Sequence, residues 1–311
     1  MNPLPQSSQS SLSRRQFLKR TLGHLAAGTM VVPALHGTVR KDPAFRISLA
    51  QWSVRRLHRD GSVPAVEFPS YTRKMFGIDA VEYVNQFFPR GDGLVAFVNE
   101  LRQQCDDHGV KSLLIMCDGE GHIGDPDKNA RLQAVKNHWK WLEAAASLGC
   151  HSIRVNAHSV GTYQEQLNLA ADGLERLSSL AEPFGLNVIV ENHGGLSSNS
   201  EWLEGVIKKV GLPNCGTLPD FGNFDSYDRY SATERLMPYA KGVSAKSHDF
   251  DAEGNETRTD YFRMIPIVLR SGYKGHIGIE YEGDTLPPDE GVRATQRLLE
   301  RCREAWEAEK P

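Results

Sequence analysis

Asn187-Val-Ile-Val before Glu191, Gly216-Thr-Leu-Pro before Asp220, Gly242-Val-Ser-Ala-Lys-Ser before His248, and His276-Ile-Gly-Ile before Glu280 are four short runs that each end in a residue able to bind a metal ion. Each is flanked by Gly or Pro and followed by a helix-length segment, the pattern of a buried parallel strand. In a closed barrel of parallel strands, side chains at the carboxyl ends of different strands converge on one mouth. Three carboxylates and an imidazole meeting there would make a site for one divalent cation of the Mn, Co, Zn or Mg class.

Working outward from these runs, the same alternation extends back to Phe45. Further strands are expected at Arg46–Gln51, Ala80–Val84, Ser112–Met116 and Ser152–Val155, beside Asn187–Val190, Gly216–Leu218, Gly242–Ala245 and His276–Ile279. The segments between them carry helix signals. Asp125-Pro126 reads as an N-cap followed by proline. Thr162-Tyr-Gln-Glu165 and Ser198-Asn-Ser-Glu201 fit the capping box, and Gly149, Gly185, Gly211 and Gly272 read as helix terminators. Eight β-then-α units predict an α/β fold, a single-domain (β/α)8 TIM barrel over residues 41–311. An open doubly wound sheet would need a glycine-rich phosphate loop after an early strand, and none is present.

The chain has 311 residues, 40% of them hydrophobic, with a net charge of −3. That balance argues against a protein built to grip nucleic acid, which would carry a basic stripe. No apolar run reaches the length of a stable membrane span. Five widely spaced cysteines without a C-x-x-C pair predict free, mostly buried thiols. An oligomer is compatible with this composition. Residues 1–40 read as a leader: a polar tract, then Ser13-Arg14-Arg15-Gln16-Phe17-Leu18-Lys19, then a mildly apolar stretch to Leu35. The arginine pair closely resembles a twin-arginine export signal, which implies the translocation machinery of that pathway as a partner and a periplasmic or otherwise exported protein. Cleavage between Ala34 and Arg40, or a retained leader, are both open.

Each candidate site residue has a plainer alternative. Glu191, in Glu191-Asn-His193-Gly-Gly, is a strand-end carboxylate or a salt-bridged Glu beside a loop. Asp220 is a ligand or the start of a turn, a common task for Asp. Lys246 and His248, two apart, share one face of an extended strand, as an acid/base pair with a ligand or as a solvated loop. Of Glu280 and Glu282, the first is expected to point into the mouth and the second away. Four successive strands ending in ligand-type residues is the coincidence that favours a site. Glu82 interrupts an apolar strand, where a charge needs a partner. Trp52 could wall a sugar ring, while Asp118, Glu120, Arg154, Asn156, His158 and His193 lie near strand ends as structural or substrate-adjacent residues.

These strings, with Asp220-Phe-Gly-Asn, Ala245-Lys-Ser-His-Asp-Phe and Gly275-His-Ile-Gly-Ile-Glu280, resemble the xylose isomerase-like TIM barrel superfamily, and within it the sugar phosphate isomerase/epimerase group. The likeness runs from about Phe45 to the carboxyl end. It implies metal ligands after strands five, six and eight, carried here by Glu191, Asp220 and Glu280. Strand seven departs. The family often reads His-x-Lys-Asp, and aligning its Lys with Lys246 puts Ser244 at the His position. His248 would then be the fourth ligand, or the metal would have three protein ligands. Asn223 stands where relatives with a multi-zinc cluster have His, which argues against a cluster of the endonuclease IV kind.

Taken together, the sequence implies a metal-dependent carbohydrate isomerase or epimerase, with Glu191, Glu280 and Lys246 catalytic and Glu82, His158, His193 and Trp52 against the substrate. A lyase or hydratase acting on a 3-keto sugar would use the same residues. An apurinic-site endonuclease and a non-catalytic sugar-binding protein are the other readings. Replacing Arg14 and Arg15 by Lys is expected to hold the chain in the cytoplasm; equal export of variant and wild type on cell fractionation would show the motif to be incidental.

Overall fold

A computed structural model describes residues 42–224 and 226–309. The expected leader, with Arg14 and Arg15, lies outside the described residues. The eight strands are β1 Arg46–Ala50, β2 Ala80–Val84, β3 Lys111–Met116, β4 Ser152–Val155, β5 Asn187–Glu191, β6 Cys215–Leu218, β7 Val243–Ser247 and β8 His276–Tyr281. All are parallel and hydrogen-bonded in the order β6-β5-β4-β3-β2-β1-β8-β7. Helices follow on the outside, so the fold is the expected single-domain (β/α)8 barrel. Two apolar layers hold it. Ala50, Val84, Leu114, Met116, Ile189 and Leu218 pack inside the barrel; the larger core lies between strands and helices, around Trp141, Trp202 and Tyr281.

The barrel closes between β6 and β7 without a regular ladder. β6 runs into Pro219, which has no N–H to give. Closure instead uses bridges from Thr217 to Ala240 and from Asp220 to Ser244. Ser244 N donates to Pro219 O at 2.9 Å and Phe221 N to Ser244 O at 3.1 Å. Gly216 lies on this seam, where a Cβ would sit 2.5 Å from Tyr239 O. Elsewhere two asparagine amides stand in for strand pairing beyond the strand ends. Asn192 exchanges two hydrogen bonds with the backbone of Asp220, at 2.8 and 3.0 Å, and Asn85 does the same with Asp118, at 2.9 and 3.0 Å.

The helix signals hold with two shifts. Thr162 and Glu165 form the expected capping box on the helix Tyr163–Ala181. The cap of Lys128–Asn137 is Asp127, whose carboxylate accepts from Ala130 N, while Asp125 accepts from Asp127 N one turn earlier. The cap of Ser200–Val210 is Asn199, because the Ser198 hydroxyl is committed to Asn223 O at 2.5 Å. All five cysteines are free and buried. Among the described residues no helix is long and apolar enough to cross a membrane.

One close approach fixes the loop after β3. A Cβ on Gly173, inside the helix Tyr163–Ala181, would lie 1.9 Å from Ile123 O. The clash is with backbone, which cannot rotate aside. Gly173→Ala is therefore expected to cost about 1–3 kcal/mol of stability, as overpacking does, despite alanine's better helix propensity. An unchanged urea midpoint would contradict this.

Candidate active site at the barrel mouth

Glu191 ends β5, Asp220 follows β6 across Pro219, and Glu280 lies near the end of β8. One carboxylate oxygen from each lies within 4.8 Å of the others, and all three residues are buried. The turn reading of Asp220 holds together with the site reading. Its Oδ1 accepts from Gly222 N at 2.7 Å and Asn223 N at 3.0 Å, while Oδ2 accepts from Ser244 Oγ at 2.7 Å. Ser244 Oγ also lies 2.8 Å from Glu280 Oε2. The residue at the strand-seven position of the family histidine thus reaches two of the three carboxylates.

Two buried cations brace the cluster. Arg154, mid-strand in β4, places Nε 2.9 Å from Glu191 Oε2 and Nη1 2.8 Å from Asp118 Oδ1. Lys246 Nζ sits 3.6 Å from Asp220 Oδ2, 3.7 Å from Glu280 Oε2 and 3.5 Å from Glu282 Oε2. A Cβ on Gly222 would come within 2.8 Å of the Lys246 stem, so glycine is required beside it. Asn223 links the two sides: its Nδ2 donates to Glu191 Oε1 at 3.0 Å, and its Oδ1 accepts from Lys246 Nζ at 3.2 Å. An amide held this way by two site residues occupies the position at which a larger metal cluster would need histidine.

His248 stands apart from the carboxylates. It follows β7, and its Nε2 lies 3.9 Å from Glu282 Oε2. Among the described residues, the only ligand-type group gathered around one point is Glu191, Asp220 and Glu280, so the structure gives His248 no place in it. The strand-seven side chains that reach the centre are Ser244 and Lys246. Glu282 corrects a second expectation. Residues two apart share a face of a strand, and Glu282 lies on the mouth side with Glu280, where it contacts Lys246 and accepts from Trp52 Nε1 at 2.6 Å. Trp52 itself packs on Phe87 beside the inner apolar layer.

Glu82 lies deeper. Its Oε1 accepts from Ser48 Oγ at 2.6 Å, its Oε2 has no hydrogen-bond partner, and a Cβ on Gly278 would fall 2.5 Å from it. His158 and His193 belong to a cavity of about 260 Å³ beside the centre, lined also by Glu120, His122, His138 and Asn156. Asn156 joins that cavity to the carboxylates, since its Nδ2 donates to the same Asp118 oxygen that Arg154 holds, at 2.8 Å. Arg154 is the residue of this cluster whose weight the sequence understated; its signal was a charge inside an apolar strand.

The electrostatics follow from four buried carboxylates against two buried cations. Burial pushes Glu82 up to about 7, helped by the charges of Glu280 and Glu191. Burial likewise pushes Glu191 to about 7 against the pull of Arg154, and raises Asp220 well above the usual range despite Lys246. Glu280 is also penalised by burial, but Lys246 and the Ser244 hydroxyl hold it below its ordinary value. Lys246 and Arg154 are raised: their carboxylate neighbours outweigh burial. Fully ionised, the four carboxylates would outnumber the two cations, and the raised pKa values of Glu82, Glu191 and Asp220 are the cost of burying that excess. Oxygens of Glu191, Asp220 and Glu280 converge on one point. That donor set fits a divalent ion, and the excess charge is what such an ion would neutralise.

The chain belongs to the xylose isomerase-like TIM barrel family, whose model matches residues 71–302. No curated protein matches it by sequence. Among solved structures it is similar to the 3-keto-D-glucoside 4-epimerase YcjR from E. coli, with a TM-score of 0.64 and 19% identity over 77% of this chain and 95% of that one. It is similar also to an L-ribulose 3-epimerase, at a TM-score of 0.68 and 15% identity over 86% and 98%. The IOLI protein with a bound zinc atom gives 0.64 and 14% over 84% and 99%. At these identities the structural likeness establishes the fold alone.

Glu82 yields a pH prediction for metal-stripped protein. Its folded pKa lies above the ordinary carboxylate value, so the folded state binds the extra proton. Stability tied to Glu82 is intact below about pH 4.5 and is lost as pH rises to about 7. Glu82→Gln removes that loss. In EDTA it should stabilise the protein by up to about 3 kcal/mol at pH 8, fading toward pH 4.5. Denaturant midpoints for variant and wild type that run parallel across this range would contradict it.

Proposed function

We propose that the protein is a divalent-metal-dependent epimerase or isomerase acting on a sugar or sugar derivative by proton transfer at a carbon next to a carbonyl. The observation that carries this is the convergence of Glu191, Asp220 and Glu280 on one point, buried and short of positive charge. A divalent ion held by these three carboxylates would supply positive charge beside the oxygen on which an enediolate builds. Glu191 and Glu280 come from strands three apart around the mouth, so a bound sugar can present one face to each. Glu280 is placed to remove the proton from one face. Glu191 is placed to return it to the other face. The Lys246 ammonium, braced by Asn223 and Glu282, is placed to hold a substrate oxygen beside them. If a leaving group sits next to the carbanion of a 3-keto sugar, the same pair gives β-elimination, which expels that group and leaves an enone. Hydration is the addition of water to such an enone; this is the second reading. The names of similar structures, two of them sugar epimerases and one holding zinc, support the family chemistry. We also propose export by the twin-arginine route, which makes free or oxidised sugars and glycosides better substrates than sugar phosphates.

Glu191→Gln and Glu280→Gln keep the shape but remove a ligand charge and a proton acceptor. Each is expected to lower turnover by at least 10³-fold, within what a positioned acid–base group contributes together with lost charge stabilisation, and to lower bound metal measured by elemental analysis. The substrate screen is hydrogen exchange at carbon in D₂O, followed by NMR. His248→Ala should leave metal content unchanged, whereas Ser244→Ala and Lys246→Ala should alter it. Retention of metal and turnover by both glutamine variants would end the proposal.

A further inference from the structure

The loops after β3 and β4 build a feature that the proton-transfer chemistry does not use. Asp118-Gly119-Glu120-Gly121-His122 turns on two glycines with φ of 75° and 93°, conformations that side chains rarely allow. Gly124 N donates to His158 O at 3.1 Å and Ser159 Oγ to Gly124 O at 2.5 Å, which ties the two loops together. The rings of His122 and His158 consequently stand 4.2 Å apart. They flank the cavity of about 260 Å³ described above, and none of Glu82, Glu191, Asp220, Glu280 or Lys246 lines it.

The cavity contains an unmet demand. Glu120 is 4% exposed; its Oε2 accepts from Lys140 Nζ at 2.9 Å, but Oε1 is buried with no hydrogen-bond partner. A buried carboxylate oxygen in this state is costly and calls for a donor. His138 adds an acceptor: its Nδ1 donates to Ala134 O at 2.8 Å, so the other nitrogen of the neutral ring is bare. No three ligand-type groups in this cavity gather around one point, which disfavours a cation. No Lys or Arg lines it, which disfavours an anion. Imidazoles, an amide and a carboxylate acceptor match hydroxyl groups, each of which both donates and accepts. The volume, just below the roughly 300 Å³ at which pockets for larger small molecules begin, suits a single ring.

We propose that this cavity is a second sugar subsite, and that the substrate is a glycoside whose reacting ring lies over Glu191, Asp220 and Glu280 while its linked ring enters between His122, His158 and Glu120. The proposal rests on the carbohydrate reading above and narrows it to substrates of two rings. The contacts Glu191–Arg154–Asp118–Asn156 run from the carboxylates to Asn156, which lines the cavity, and so link the two positions.

The test is calorimetric titration of the metal-loaded protein with matched pairs: methyl β-D-glucoside and cellobiose, methyl β-D-galactoside and lactose, methyl α-D-glucoside and maltose. For the pair that binds, the disaccharide is expected to bind at least tenfold more tightly than the methyl glycoside. Glu120→Gln and, separately, His122→Ala should each bring that ratio toward one. His122 is exposed, so its variant serves if Glu120→Gln fails to fold, as judged by its melting curve. A wild-type ratio near one, or a ratio untouched by either folded variant, overturns the subsite and leaves the carbohydrate reading standing. Absence of binding by every saccharide counts against both.

Discussion

Four carboxylates withdrawn from water at the mouth of one barrel set the terms for everything around them. Charges of one sign at this depth cannot all stay ionised without compensation, and the fold supplies only Arg154 and Lys246 from its own chain. Arg154 is divided between Glu191 and Asp118, and Lys246 among Asp220, Glu280 and Glu282, so each cation serves more than one anion. The remaining excess leaves two states open to the cluster: protons on Glu82, Glu191 and Asp220, or a divalent ion. Without an ion, Glu82 and Glu191 are both pushed up to about 7, so the cluster's charge shifts near neutral pH.

The same cluster holds the barrel shut. The seam between β6 and β7 lacks a regular ladder, and its bridge from Asp220 to Ser244 lies at the carboxylates themselves. Ser244 uses its backbone to join the strands and its hydroxyl to join Asp220 to Glu280. Gly222 leaves room beside this hydroxyl for the Lys246 stem, which a Cβ there would meet at 2.8 Å.

Much of this was legible in the sequence, for a reason that also marks the limit. Glu191, Asp220 and Glu280 each follow an apolar run, and the rule that strand ends converge needs no knowledge of side-chain contacts. The eight strands were legible on the same ground, with ends displaced by a residue or two. His248 lies apart from the three carboxylates because β7 extends through Ser247, which carries Lys246 within the strand and leaves His248 beyond it, beside Glu282. Glu282 was a misread alternation, since two residues of separation return a side chain to the same face. Asp127 and Asn199 displaced the expected caps because local hydrogen bonds had already engaged Asp125 and Ser198. Glu120, His158 and His193 were legible one by one as residues near strand ends, but nothing local joined them with His122 into one cavity, since they come from three separate loops. Only the glycine alternation in Asp118–His122 hinted at a loop shaped for approach.

Rigidity connects the site to its scaffold. Asn192 and Asn85 exchange paired hydrogen bonds with the backbone of Asp220 and Asp118, so the residues after β3 and β6 keep strand-like register where the strands have ended. Asn223 performs the corresponding task between side chains, holding Glu191 and Lys246 at once. Fixed dipoles and charges of this kind do not need to reorient as charge develops, which is where electrostatic catalysis gains most of its advantage over water. The asparagines thus fix both the backbone beside the carboxylates and the side chains that touch them.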